Sequence, residues 1–132
     1  VIDWDMNVDP NFKKNRFMRP IVCSESESHK EEWICYKCKL VSAKRLTVYP
    51  GQTVTIKDSA AYGLILIEGR GMLNDWEMET PTLIRYGELT SDEFFVTEKT
   101  AKNGVKITNT SKTENIVMLK HFAENPDLEE LF

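Results

Sequence analysis

The sequence predicts an all-β protein built as an antiparallel sandwich or barrel, and three observations support that prediction. Short runs of β-forming residues recur at intervals of about 8–12 residues, the spacing typical of sandwiches and barrels. Turn signals such as Pro50-Gly51 and Gly69-Arg70-Gly71 separate the runs. Strands do not alternate with helices of comparable length, so a parallel βαβ architecture is excluded.

The composition is that of one ordinary globular domain with an acidic balance. The 132 residues include 17 Lys and Arg against 21 Asp and Glu, a formal net charge of −4, and 41% are hydrophobic. An acidic balance argues against general nucleic-acid binding. No apolar run approaches the roughly 18 residues of a membrane helix, and no secretory leader is recognisable. We therefore expect a cytoplasmic protein with neither nucleic-acid nor membrane partners.

Composition also divides the chain into three segments. Residues 1–30 contain two Xaa-Pro steps and the polar stretch SESES at 24–28, which predict an irregular N-terminal arm. Residues 31–122 hold the predicted strands and form the barrel. Residues 123–132 are predicted to be an acidic tail that ends in a short helical turn over 127–132.

The elements of the barrel follow from periodicity. The run GLILI at 63–67 is apolar and too short for a helix, which indicates a buried strand. Residues 52–57 alternate valine and isoleucine with threonine, as a strand with one buried face does. A short helix is predicted from Thr97, as N-cap, through Lys102, because Gly104 follows. The predicted strands cover residues 33–40, 42–49, 52–57, 62–68, 72–77, 81–86, 93–97, 105–109 and 116–122.

The three cysteines, Cys23, Cys35 and Cys38, form an odd set without a secretory context, which favours reduced thiols. Cys35 and Cys38 have the spacing of a metal-binding pair. On a predicted strand, however, residues three apart face opposite sides, so the two sulfur atoms diverge. A zinc site would need Cys23 and His29 as further ligands, and packing of the thiols on or within a sheet is the simpler interpretation.

The stretch at 50–71, PGQTVTIKDSAAYGLILIEGRG, resembles the first motif of the cupin family. That motif opens with Pro-Gly, passes through one strand, and closes with an apolar strand ending in Gly-x-Gly. As a strand pattern the resemblance covers about residues 42–122. It implies a small antiparallel double-stranded β-helix, the cupin jelly roll, with a ligand cavity at its mouth.

The departures from the motif imply that the family's metal has been lost. In the positions of the family's histidines the chain has Lys57, Ser59 and Val105, and in the position of the glutamate it has Tyr62. An ammonium group has no lone pair to offer a cation. The chain has only 2 histidines, one in the polar loop and one at the end of the last strand. We therefore expect no metal and no other cofactor.

A narrower resemblance points to sugar-phosphate metabolism. The segments 80–87 (TPTLIRYG), 92–97 (DEFFVT) and 117–122 (VMLKHF) look like cupin domains associated with type I mannose-6-phosphate isomerases. In those enzymes the zinc ligands and catalytic residues belong to a larger domain. The resemblance therefore implies an accessory domain rather than activity in this chain.

A metal-free barrel leaves a small anionic or sugar-type ligand as the expected occupant. Lys57 shares a strand face with Thr53 and Thr55, and it binds an anion if that face lines the cavity. If that face is the outer one, Lys57 is a solvated surface lysine. The candidate ligand-binding residues are Lys57, Ser59, Tyr62, Arg85, Lys120 and His121.

The alternative function is an active sugar or sugar-phosphate isomerase. Such an enzyme needs a base next to a carbon acid and an electrophile for the enediolate. Glu68, Glu93 and Glu98 are candidate bases, and Lys57 or His121 is a candidate electrophile. No spacing selects one pair among them, so the sequence identifies no catalytic residue.

Two further features predict binding surfaces. Trp4, Trp33 and Trp76 either stack on a sugar ring or pack in the core, and Trp76 follows a turn-like pair that predicts exposure. The arm over residues 1–20 carries apolar side chains that could cross to a second copy. The resemblance to cupins, which commonly pair their sheets, implies a homodimer.

Overall fold

A computed structural model describes residues 2–81, 83 and 85–125, and it shows two antiparallel sheets packed face to face. This arrangement confirms the predicted all-β class. The elements in chain order are α1 (Trp4–Asn7), α2 (Phe12–Arg16), β1 (Ile21–Glu25), β2 (His29–Cys35), β3 (Ser42–Val48), β4 (Thr53–Ile56), β5 (Tyr62–Glu68), β6 (Arg70–Leu73), β7 (Trp76–Glu79), β8 (Glu93–Val96), α3 (Glu98–Asn103), β9 (Val105–Asn109) and β10 (Ile116–Phe122).

The larger sheet has six strands in the order β1-β2-β3-β10-β5-β8. Side chains alternate across it, and in β10 the inward positions hold Ile116, Met118, Lys120 and Phe122, each at most 2% exposed. β10 pairs with β3 so that Lys120 lies opposite Lys44. The inner face of this sheet therefore carries two lysines that lie opposite each other.

The smaller sheet has four strands in the order β4-β9-β6-β7. In β4 the valine and isoleucine are buried and both threonines are exposed, so the apolar face packs on the core. Gly71 lies where β6 pairs with β9, and a Cβ at this position would overlap the carbonyl oxygen of Thr108. Close approach of the two backbones thus requires glycine there.

The prediction of an irregular arm over residues 1–30 is wrong for its last part. β1 and the first residues of β2 lie in it, and the two strands pair at the edge of the six-stranded sheet. A register shift between Val22 and Ser24 interrupts the alternation of side chains along β1. Ser24 Oγ lies 2.8 Å from His29 Nε2, so the serine- and glutamate-rich stretch forms a hairpin rather than a free loop.

Three other predicted elements differ from the structure, and the predicted helix is confirmed. Of the strand expected over 33–40, only residues 33–35 lie in a strand, as the end of β2. The strand expected over 72–77 is the β6–β7 hairpin, which turns at Asn74 with φ 51°. The described residues of 81–86 do not form a strand. The helix is present as α3, where Thr97 Oγ1 accepts a hydrogen bond from the amide of Thr100 at 3.4 Å. The predicted turn over 127–132 lies outside the described residues.

Candidate functional site in the barrel interior

The space between the sheets contains four charged side chains, which we call the charge quartet: Glu31, Lys44, Asp58 and Lys120. Each is at most 6% exposed, and Lys120 is fully buried. β2, β3 and β10 supply three of them, and Asp58 follows the end of β4. Charges of this kind are rarely buried unless they are paired. The interior is therefore a polar site inside an apolar barrel.

The quartet is a closed ring of ion pairs. Lys44 Nζ lies 2.9 Å from Asp58 Oδ1 and 3.4 Å from Glu31 Oε1. Lys120 Nζ lies 2.6 Å from Glu31 Oε2 and also pairs with Asp58 Oδ2. Each ammonium group thus contacts both carboxylates, and each carboxylate contacts both ammonium groups. The ring is electrically neutral when all four groups are ionised.

Aromatic rings close the space around the ammonium groups. Lys44 Nζ lies 4.7 Å from the centroid of the Trp33 ring and 5.6 Å from that of Phe122. Lys120 Nζ lies 4.8 Å from the centroid of the Tyr62 ring. These distances allow cation–π attraction, which strengthens where water is excluded. The aromatic rings leave the two lysines well packed as well as paired.

Pairing within the quartet keeps Lys44 and Asp58 charged. Burial alone would lower the pKa of Lys44, but Glu31 and Asp58 outweigh it and raise that pKa above its ordinary value. Burial alone would raise the pKa of Asp58, but Lys120 and Lys44 hold it below its ordinary range. Mutual pairing therefore stabilises the ionised forms against the desolvation that opposes them.

Two neutral groups border the quartet. Burial, assisted by Asp58 and Glu31, raises the pKa of Tyr62, so its phenol stays protonated. Its hydroxyl is buried and has no hydrogen-bond partner among the described residues. Cys23 Sγ lies 3.7 Å from Glu31 Oε1, and burial followed by the charge of Glu31 raises the pKa of Cys23 to about 11. Neither group is a nucleophile or base near neutral pH.

The interior does not fit a metal ion. Zn, Fe and Mn sites use imidazole and carboxylate ligands with free lone pairs. Both carboxylates of the quartet are paired to ammonium groups, and an ammonium group repels a cation. Within residues 2–81, 83 and 85–125, no group of three or more His, Cys, Asp and Glu is arranged to hold a metal.

The structure brings together two of the six predicted ligand-binding residues. Tyr62 and Lys120 both face the interior, where the ammonium group lies over the phenol ring. The partners of Lys120 are Glu31 and Asp58 rather than the other four predicted residues. Tyr62 and Lys120 are therefore part of the barrel interior.

The other four predicted residues do not face the interior. Lys57 and Ser59 are exposed, because the buried face of β4 is the one that carries valine and isoleucine. Arg85 is exposed and lies 3.9 Å from Glu88. His121 is half-buried on the side of β10 opposite to Lys120. The threonine face of β4 is thus the outer face, and the polar residue that points inward there is Asp58.

Sequence reasoning missed Glu31, Lys44 and Asp58, although a signal for each was present. A charged residue two positions from a buried apolar one on the same strand shares its inward face. Glu31 stands two before Trp33, Lys44 stands two before Leu46, and Asp58 continues the buried alternation of β4. The charge itself hid them, because an isolated lysine or carboxylate usually indicates a solvated face.

Comparison with known proteins finds similarity in structure alone. Neither a protein-family model nor a curated protein matches the chain. An RmlC-like cupin protein from Ralstonia eutropha JMP134 covers 88% of this chain at 10% identity and a TM-score of 0.53. A cupin-2 domain protein from Rhodospirillum rubrum covers 78% at 13% identity and 0.51. Oxalate decarboxylase from Bacillus subtilis covers 82% at 19% identity and 0.54.

These similarities establish the fold. The chain has the jelly-roll fold of these cupin structures, as its resemblance to the first cupin motif implied. It spans 66% of the Ralstonia protein, 67% of the Rhodospirillum protein and 28% of the oxalate decarboxylase. Within the described ranges, none of the helices is long and apolar enough to cross a membrane.

Proposed function

We propose that this chain is a metal-free, non-catalytic cupin domain that binds a small ligand as an accessory domain of a larger sugar-phosphate isomerase-like protein. The observation that carries the proposal is the charge quartet. It fills the barrel interior with groups that satisfy one another. An anion entering the interior would have to displace a carboxylate, and a cation would have to displace an ammonium group. The interior therefore favours a structural role.

The resemblance to cupin domains associated with type I mannose-6-phosphate isomerases supports the accessory part of the proposal. Its third segment, 117–122, is most of β10 and includes Lys120. Its second segment, 92–97, contains β8 at the edge of the same sheet. The similar residues of these two segments thus lie in the framework of the barrel, as expected of a domain whose partner performs the chemistry.

The geometry does not favour the alternative, an active isomerase. A catalytic base works best where its pKa is tuned near the working pH, usually by partial burial. Glu68, Glu93 and Glu98 are all exposed. The buried carboxylates of Glu31 and Asp58 are each held by two lysines. None of the three candidate bases is thus sheltered, and both carboxylates of the quartet are already paired.

The experiment measures metal content and turnover on the same purified chain. We expect less than stoichiometric Zn, Fe, Mn and Ni by elemental analysis. We also expect no conversion of mannose-6-phosphate above background, with or without added divalent metal. Glu68→Ala and Lys57→Ala are the matched controls and should leave that background unchanged. Stoichiometric metal, or turnover that Glu68→Ala abolishes, would contradict the proposal.

A further inference from the structure

A groove on the surface, separate from the charge quartet, has the features of a ligand site. It lies where the β6–β7 turn, β8 and the first turn of α3 meet, and it encloses about 590 Å³. That size lies within the range of roughly 300–1,000 Å³ typical of small-molecule sites. We call it the Trp76 groove; the residues used below are Asn74, Trp76, Glu93, Phe94, Thr97 and Thr100.

Trp76 lies on the core-facing side of its strand, yet its side chain is exposed to solvent. It lies opposite Leu73 in the β6–β7 hairpin, and residues that lie opposite each other point to the same side of a sheet. Leu73 is 5% exposed, whereas Trp76 is 70% exposed. Phe94, which lines the same groove from the inward face of β8, is half-buried. An uncovered indole beside a second aromatic ring at one concave place marks an interaction site.

The polar groups of the groove offer both hydrogen-bond donors and an acceptor. Asn74 Oδ1 accepts from the amide of Lys106 at 2.9 Å, and this orients the side-chain amide nitrogen, which can only donate. Thr97 Oγ1 donates to Thr100 Oγ1 at 3.0 Å, which leaves the Thr100 hydroxyl proton as a donor. The exposed carboxylate of Glu93 can only accept.

This set of groups selects among ligand chemistries. Glu93 is the one charged side chain among the described residues that line the groove, so an anion would meet repulsion and find no cation. An organic ammonium ion could stack on the rings, but it donates only and would leave Asn74 and Thr100 without an acceptor. A hydroxyl group both donates and accepts, and the C–H face of a sugar packs on an aromatic ring.

We propose that the Trp76 groove binds a neutral sugar, with Trp76 and Phe94 packing on the ring and Asn74, Glu93 and Thr100 bonding its hydroxyl groups. The inference deepens the proposed function, on which it rests, by naming the ligand class and its place. It also moves ligand binding from the barrel interior to the surface.

The experiment follows the indole N–H signals of the three tryptophans by NMR during titration with methyl glucoside, methyl mannoside and methyl galactoside. We expect the Trp76 signal to shift with at least one pyranoside, with a dissociation constant on the order of 1 mM. Trp76→Ala and Phe94→Ala should each weaken binding by about fivefold or more. Trp4→Ala is the matched control, because Trp4 is 69% exposed but lies on α1.

Several outcomes would overturn the inference. They are no shift of the Trp76 signal with any pyranoside, binding that Trp76→Ala leaves intact, or tighter binding of glucose-6-phosphate or tetramethylammonium than of the methyl glycosides. Trp76→Phe keeps a ring and should retain partial binding, which separates lost stacking from misfolding. Sugar binding accompanied by turnover would contradict the proposed non-catalytic function but support the groove as a sugar site. The absence of both binding and turnover would overturn the groove as a sugar site and leave the non-catalytic function in place.

Discussion

Polar groups are paired with one another in the barrel interior and exposed to solvent in the Trp76 groove. In the interior, four buried charges meet one another in a closed ring, and aromatic rings cover the ammonium groups. In the groove, the ring of Trp76 is uncovered and polar groups face water. A site whose groups are already paired gains little from a ligand, whereas exposed rings gain from being covered. The comparison separates the part of the barrel that maintains the fold from the part suited to binding.

The largest effect should come from removing one charge of the quartet. Lys120→Met leaves Glu31 and Asp58 buried with a single ammonium group, and we expect a loss of about 3–5 kcal/mol in the free energy of unfolding, measured by urea denaturation. Trp76→Ala, the largest deletion in the groove, should stay within about 0.5 kcal/mol. Lys102→Met, which breaks an exposed ion pair on α3, controls for the loss of a lysine and should change little. Equal losses of the free energy of unfolding in all three variants would contradict the distinction between the two regions.

The framework of the fold could be predicted from the sequence because it depends on local patterns. Alternation and turn residues predicted strands matching β3, β4, β5, β8, β9 and β10, and capping residues predicted α3. β1 escaped prediction because it runs into the serine- and glutamate-rich stretch at 24–28, which resembles a loop, and only pairing with β2 makes it a strand. Homodimer formation and a cytoplasmic location stay predictions of the sequence.

A smaller effect should appear as a pH dependence of stability. The pKa of Asp58 is lower in the folded chain than its unfolded value near 3.9, so stability should fall as pH drops below about 4. The pKa of Lys44 is higher than its unfolded value near 10.4, so stability should fall as pH rises above about 10.4. Between these limits the quartet contributes a constant amount.

Urea denaturation at pH 3, 7 and 11 would check this plateau. Pairing with Arg45 lowers the pKa of Glu32 despite burial, so protonation of Glu32 also lowers stability at acid pH. The informative quantity is therefore the difference between the wild type and Asp58→Asn, which should shrink toward pH 3. A difference that stays constant with pH would show that Asp58 is not ionised in the folded chain.

The candidate sites were harder to predict than the fold because they depend on which face of a strand is buried. Lys57 and Asp58 are neighbours in the sequence, yet the side chain of Lys57 is exposed and that of Asp58 is buried in the core. Alternation predicts that the two side chains point to opposite faces of the strand, but only packing of the apolar face of β4 decides which of them points inward. Lys120 pairs with Glu31 and Asp58, which lie 89 and 62 positions away in the sequence, beyond any local pattern.

The most direct test of the central claim, that the interior charges form one coupled structural unit, is a double-mutant cycle on Lys120 and Asp58. Lys120→Met and Asp58→Asn each unbalance the quartet, whereas the double variant leaves Lys44 and Glu31 as a neutral pair. We expect the double variant to lose less free energy of unfolding than the two single losses combined, with a coupling of at least about 1 kcal/mol. Single losses that add within about 0.5 kcal/mol would contradict the claim.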